Sequence, residues 1–347
     1  MPSFDLQDAP VWLNALIFAA AGGVIWIAGT RLTYALDAIS ARTGIGHVFV
    51  GMLLLGGITS LPEAANVIAA SAGGVPRLAI NNLLGSAAIN VLLLAVVDAV
   101  VGRDAVTSRV ADPATLMMCT LCMMVLGVVA MAVTTGDVEV FGTIGLWSVA
   151  ICALSIACFG LAVGYGDRAP WVVKGRASEP KPDSEDKAAG GSLPRLVLVA
   201  AVTAVVIFVA GYALSETGDA LAEQTGLGAG LVGFVLIGVA TSMPELSTIT
   251  TALKIRRYEM AFGQVLGTNF VNLSLFLLAD LVFAGGPVVN ELGAFEVVSA
   301  LLGMVLIGVF LVGLLEHRNP TVMRMGYDSL AVILLFAGGV GLLYAVR

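Results

Sequence analysis

The sequence predicts an all-α polytopic membrane protein whose roughly ten transmembrane helices form two inverted-topology five-helix repeats. Three observations lead there. Of the 347 residues, 59% are hydrophobic and only 12% are charged, whereas soluble domains carry about a quarter charged residues. The hydrophobic residues gather into ten runs of about 20, the length that crosses a bilayer as a helix. A short motif then occurs twice at an offset of 182 residues, as Gly56-Gly57-Ile58-Thr59-Ser60-Leu61-Pro62-Glu63 and as Gly238-Val239-Ala240-Thr241-Ser242-Met243-Pro244-Glu245.

In chain order the runs fall at 11–36, 46–72, 76–100, 113–135, 140–164, 194–215, 228–253, 258–283, 291–315 and 326–345. Residues 1–10 hold Asp5 and Asp8 but neither Lys nor Arg. The basic start of a secretory signal is missing, so the first run is expected to be a retained span. The second and seventh runs carry the repeated motif, and in each the proline withholds a backbone N–H and breaks the helix. The third and eighth carry polar stripes four residues apart: Asn82, Ser86 and Asn90, then Gln264, Thr268 and Asn272. The fourth contains Cys119-x-x-Cys122 with no accompanying histidine, and Cys152 and Cys158 follow on the fifth. These thiols read as buried packing groups. His47 and His317 fall at span edges and read as interfacial.

Segment 166–193 is long and polar, with Pro170, Pro180, Pro182 and mixed charge. It cannot bury a core and reads as a flexible linker between an N-terminal repeat at 1–165 and a C-terminal repeat at 194–347. Fifteen of the 17 Lys and Arg residues fall on the linker's side of the alternating loops, beginning with Arg31 and Arg42; Arg77 and Arg347 fall on the other. That asymmetry places the linker in the cytoplasm and both termini outside, in an inner or plasma membrane.

The offset of 182 holds without a gap over some 70 residues of each half. It pairs Gly29 with Gly211, Asp37 with Asp219, Gly51 with Gly233, Gly85 with Gly267, Asn90 with Asn272 and Asp98 with Asp280. Five spans is an odd number, so the halves enter the membrane from opposite sides, the plan of secondary transporters with a site at the midplane. Gly85 and Gly267 are expected to let helices approach closely. Asp98 and Asp280 read as solvated carboxylates at helix ends, and Asp37 and Asp219 as loop residues.

A carboxylate deep in an apolar span costs about 2.5–3.5 kcal/mol on insertion scales, so Glu63 and Glu245 read as functional. Thr59, Ser60 and Glu63 stand at i, i+1 and i+4, which puts Thr59 and Glu63 on one helix face. Thr241, Ser242 and Glu245 repeat the spacing. The breaks are expected to bare backbone carbonyls near 56–59 as well. Every group in these stripes offers oxygen, which suits hard cations such as Na+ and Ca2+. An anion site would need Arg or Lys, and no midplane position has one. Taken singly, each Ser, Thr or Asn serves equally well as a hydrogen bond between helices; a duplicated glutamate has no such ordinary role.

The motifs resemble those of the Ca2+/cation antiporter superfamily, whose sodium/calcium exchangers carry two inverted α-repeats. The first motif of each repeat matches at Thr59–Glu63 and at Thr241–Glu245; the second matches in part at 81–90 and 263–272. The resemblance implies that Glu63 and Glu245 are the central Ca2+ ligands. It implies that Thr59, Ser60, Thr241, Ser242, Ser86, Thr268, Asn90 and Asn272 complete the cation sites, with Asn82 and Gln264 behind them. It also implies that the first and sixth helices slide past a core lined by the two motif-bearing pairs. The chain departs from the family at Asn272, commonly aspartate there, and at Asn81, Gln264 and Ala87.

The expected function is therefore antiport of Ca2+ against Na+ by alternating access, with H+ coupling as the alternative, and a channel or sensor as a remote one that the inverted repeat argues against. Two carboxylates neutralise one Ca2+, whereas several Na+ ions would be less well compensated. No H-E-x-x-H and no nucleophile–base pair points to an enzyme. The expected partners are the lipid bilayer and inorganic cations, with no cofactor and no nucleic acid; the oligomeric state is left open, and a monomer is compatible with the reading.

Overall fold

In lipid each span must close its own backbone hydrogen bonds, so the apolar runs become helices. The computed structural model describes residues 9–101, 105–110, 112–169, 192–225, 241–316, 321–322 and 325–346. The helices are α1 (Val11–Thr43), α2 (His47–Ala72), α3 (Pro76–Val101), α4 (Pro113–Thr135), α5 (Leu146–Ala162), α6 (Leu193–Gln224), α7 (Met243–Lys254), α8 (Tyr258–Val282), α9 (Ala294–Glu316) and α10 (Tyr327–Val346). α7 is the described half of the seventh span. Residues 226–240, with Gly226 and Gly233 of the repeat, lie outside the described residues. So do linker positions 170–191, Arg103, His317, Arg318, Arg324 and Arg347.

Several boundaries differ from expectation. α1 and α6 run 33 and 32 residues, about 50 Å at ~1.5 Å per residue, against a hydrocarbon core of about 30 Å. Arg31, Asp37 and Arg42 therefore lie on α1 rather than in a loop, and Asp219 lies on α6. The expected fifth span begins inside a short hairpin, β1 (Glu139–Phe141) with β2 (Ile144–Gly145), turned at Gly142 with φ +64°. A second hairpin, β3 (Thr321–Val322) with β4 (Met325–Gly326), precedes α10. The start of the expected linker is ordered: Tyr165–Arg168 forms one helical turn, and the Arg168 guanidinium donates to the Leu161 and Val163 carbonyls at the end of α5.

Contacts at the helix ends fix the inverted arrangement. Arg77 at the start of α3 pairs with Glu296 at the start of α9, 2.8 Å apart. Asn14 at the start of α1 meets Gln224 at the end of α6. Asp37 near the end of α1 meets Arg257 at the α7–α8 turn. Each pair requires both ends to share a membrane face, and only an odd number of crossings per repeat satisfies all three.

Asp98 and Asp280 correct the reading as solvated carboxylates, for both are fully buried. Asp98 accepts the Val106 and Gly326 N–H groups, each at 3.1 Å, and the Ser329 hydroxyl at 2.7 Å. Asp280 accepts the Val288 N–H at 2.6 Å and the Gly145 N–H at 2.7 Å. Each carboxylate gathers the backbone just after its own helix and the backbone entering the last helix of the other repeat. The two repeats are thus stapled reciprocally at opposite faces.

α8 lies at the centre, packed on α2, α3 and α5, while α1 and α6 lie together across α2 and α7. Backbone contact at the α2–α8 crossing depends on glycine. A Cβ at Gly51 would stand 2.2 Å from the Met260 carbonyl oxygen, and one at Gly267 would stand 2.3 Å from the Met52 carbonyl oxygen. Residues Val50–Leu55 are wound as a π-helix, whose i→i+5 pitch turns Gly51 and Gly56 to the same side. Gly267 thus makes the close contact expected of it; among the described residues none lies that near Gly85.

Candidate cation-binding site

Each motif-bearing span breaks at its serine. Ser60 takes φ −82°, ψ 0° and Ser242 takes φ −92°, ψ 10°, and new helices start at Leu61 and Met243 with the proline in the first turn. Glu63 and Glu245 occupy those first turns, 2% and 0% exposed. A helix N-terminus carries partial positive charge, which favours a carboxylate there, and the C-terminal carbonyls of the preceding half-helix carry partial negative charge. Pro62 leaves the Ile58 carbonyl without its helical donor.

The two carboxylates lie close enough to interact through their charges. The Ser86 hydroxyl stands beside Glu63 and the Thr59 hydroxyl beside Glu245, yet among the described residues none gives any of the four carboxylate oxygens a hydrogen bond of ordinary length. Asn90 and Asn272 both donate their amide N–H to the Ser86 hydroxyl, at 3.5 and 3.3 Å. That shared acceptor turns the two amide oxygens away, and each is buried without a donor, as is the Ser242 hydroxyl. Thr59 and Thr268 bring their hydroxyls within 3.5 Å across the α2–α8 crossing. α2, α3, α7 and α8 thus supply a buried set of oxygens with two formal negative charges. Buried acceptors without donors are costly, most of all when charged; a cation of matching charge removes the cost. Among the described residues no cluster of three His, Cys, Asp or Glu side chains competes as a metal centre.

Other expected members sit differently. The Thr59 and Ser60 hydroxyls donate to the Leu55 and Gly56 carbonyls at 3.0 and 2.9 Å, so of the carbonyls expected bare near 56–59 that of Gly56 is occupied, while that of Ile58 lacks its helical donor. Thr241 is half-buried at the break. Gln264 faces α7, where its amide N–H donates to the Thr248 hydroxyl. Asn82 is half-buried on α3, one turn before Ser86. Sequence reasoning passed over Thr248 and its repeat partner Asn66. Their signal was present, since both are polar, stand three residues after the glutamates and obey the offset of 182. It also passed over Asn269, fully buried with its amide against Cys122.

Two inverted five-helix repeats that meet at a pair of intramembrane glutamates are the plan of a membrane transporter. The chain matches the sodium/calcium exchanger protein family over residues 13–165 and 195–345, and it belongs to that family. It is 26% identical over 258 residues to the Escherichia coli inner membrane protein YrbG, covering 74% of this chain and 76% of that one. It is 23% identical over 283 residues to CaxA of Alkalimonas amylolytica, named as a candidate antiporter, covering 80% and 83%. Its fold matches the sodium-calcium exchanger NCX_Mj soaked with 2.5 mM Na+ and 0.1 mM Sr2+, with TM-score 0.68 and 17% identity over 96% of this chain and 99% of that one.

Proposed function

We propose that this protein is an antiporter that moves Ca2+ against Na+ by alternating access at the site between Glu63 and Glu245. The observation that carries the reading is the set of buried acceptor oxygens that no donor among the described residues addresses: four from the two glutamates, with the Asn90 and Asn272 amide oxygens. Two formal negative charges match one Ca2+, and oxygen donors from four helices fit its preference for six to eight hard ligands. Thr59, Ser60, Thr241, Ser242, Ser86 and Thr268 are the hydroxyls in reach of such an ion or of Na+, and Asn82 and Gln264 stand behind them.

Exchange follows if α1 and α6 slide across the fixed core. Their unequal seating supports that reading. Gly211 of α6 sits on Pro62 at the α2 break, whereas Gly29 of α1 sits on Ser247 and Thr248, about one turn beyond Pro244, the repeat partner of Pro62. α1 therefore covers the second half of the α7 span, while α2 beyond Glu63 keeps half-buried positions at Ala64, Ala65 and Asn66. We read this as an outward-facing state in an inner or plasma membrane, with the linker face cytoplasmic. Proton coupling is the second reading, favoured by asparagine at both 90 and 272: with two carboxylates alone, a proton replaces a metal charge more readily than several Na+ ions do. Everted vesicles containing the protein are expected to take up radioactive calcium under an imposed Na+ gradient. Uptake under a proton gradient alone selects the second reading, and no uptake under either removes the proposal.

A further inference from the structure

We propose that Asp37, Arg257 and His47 form a latch that holds the linker face of the transport path closed and biases the protein toward the opposite-facing state. The proposal rests on the reading above that α1 moves against the core. Asp37 stands near the end of α1 and is 2% exposed. One of its oxygens meets the Arg257 Nε at 2.5 Å and the His47 Nε2 at 3.0 Å; the other faces a terminal guanidinium nitrogen at 3.5 Å. Three elements meet in this one contact: the end of α1, the first residue of α2, and the tight turn from α7 into α8.

Arg257 is firmly planted. The residue before it, Arg256, takes a left-handed φ of +60°, and the Arg257 N–H bonds back to the Ala252 carbonyl at 2.8 Å. Its side chain is 14% exposed, so the pair is largely removed from water. A planar guanidinium paired with a carboxylate at two nitrogens is directional and does not tolerate sliding. α1 cannot shift by a turn without parting the two, and one charge would then be left in a site built for its partner.

The sequence carries the latch residues in one repeat alone. The offset of 182 carries Asp37 to Asp219, but Arg257 corresponds to Val75 and His47 to Ala229. The basic side chain nearest the equivalent turn, Arg77, is committed to Glu296. Two equal repeats would give two facing states of equal energy, and an interaction present in one half sets their ratio. Apolar packing agrees. Leu32, Leu36 and Ile39 of α1, at the latch end, belong to the main core, whereas Ala21 and Ile25 at the other end share a small separate cluster with Ala210 and Leu214 of α6.

The test uses the purified full-length chain in nanodiscs, where both faces are open to reagent and no flux is needed. Native cysteines are replaced, and Ser247→Cys reports on the surface that Gly29 covers. A water-soluble maleimide is expected to label this cysteine slowly with the latch intact and at least tenfold faster in Asp37→Asn or Arg257→Gln. Arg257→Lys, which keeps the charge and loses the fork, should fall between. The exchanged pair, Asp37→Arg with Arg257→Asp, should return the rate toward the slow value. Equal labelling rates in wild type, Arg257→Lys and Asp37→Asn overturn the latch. Faster labelling in a protein that moves no Ca2+ keeps the latch and removes the transport reading.

Discussion

Glu245→Gln tests the site most directly, because it keeps the shape and one oxygen while removing one of two charges. Glu245 is fully buried and neither carboxylate oxygen has a donor among the described residues, so without a cation nothing compensates its charged form. Deleting one partner of a buried charge interaction costs the bound state about 3 kcal/mol or more, roughly a hundredfold in Ca2+ affinity. The consequence is measurable without transport. At a Ca2+ concentration 100 times the wild-type Kd, binding stabilises the folded protein by about 2.7 kcal/mol; at hundredfold weaker affinity the same concentration yields about 0.4 kcal/mol. Thermal unfolding of purified protein with and without Ca2+ should therefore show a shift in the wild type that nearly vanishes in the variant. The metal-free variant should melt at or above the metal-free wild type, since an amide costs less than a carboxylate to bury without a donor. A variant that keeps more than half of the Ca2+-dependent shift would refute the placement of Glu245 at the ion.

Three further outcomes are expected. Asn272→Asp adds a third carboxylate beside Ser86 and should raise the apparent Na+ affinity of Ca2+ exchange by about tenfold, one charge against one ion; an unchanged or weaker Na+ dependence contradicts the charge reading. Gly267→Ala puts a Cβ into the Met52 backbone and should cost about 1–3 kcal/mol by overpacking, seen as a lower melting temperature together with slower exchange. Asp280→Asn replaces a carboxylate that accepts two buried N–H groups by an amide that can satisfy fewer of them. It should cost about 1.5–3 kcal/mol and lower the melting temperature while leaving Ca2+ affinity within a few fold.

Much of this molecule is written in periodicity. The span count, the repeat and the two glutamates need only local information, since a bilayer demands apolar runs of set length and makes every buried carboxylate conspicuous. Residues that act through distant partners were read less well. Asp37 looks like a loop residue because no local rule reveals that Arg257 lies 220 positions on. Asp98 and Asp280 look solvated because each ends its helix, and their partners are backbone N–H groups, which carry no sequence signature. Thr248 and Asn66 were legible but lay beyond the motif on which attention fell.

The sequence by itself determined that the chain lies in a membrane as two inverted halves, and that its midplane groups offer oxygen. Burial cost and duplication at a constant offset require that much. Tertiary structure alone decided how those oxygens face one another. The two asparagine amides share Ser86, and the Thr59 and Thr268 hydroxyls meet because glycines let two backbones touch. The asymmetry between halves also belongs to the fold. Gly29 and Gly211 are equivalent in sequence and seated about a turn apart in space, because α1 and α6 pack against different residues of the core.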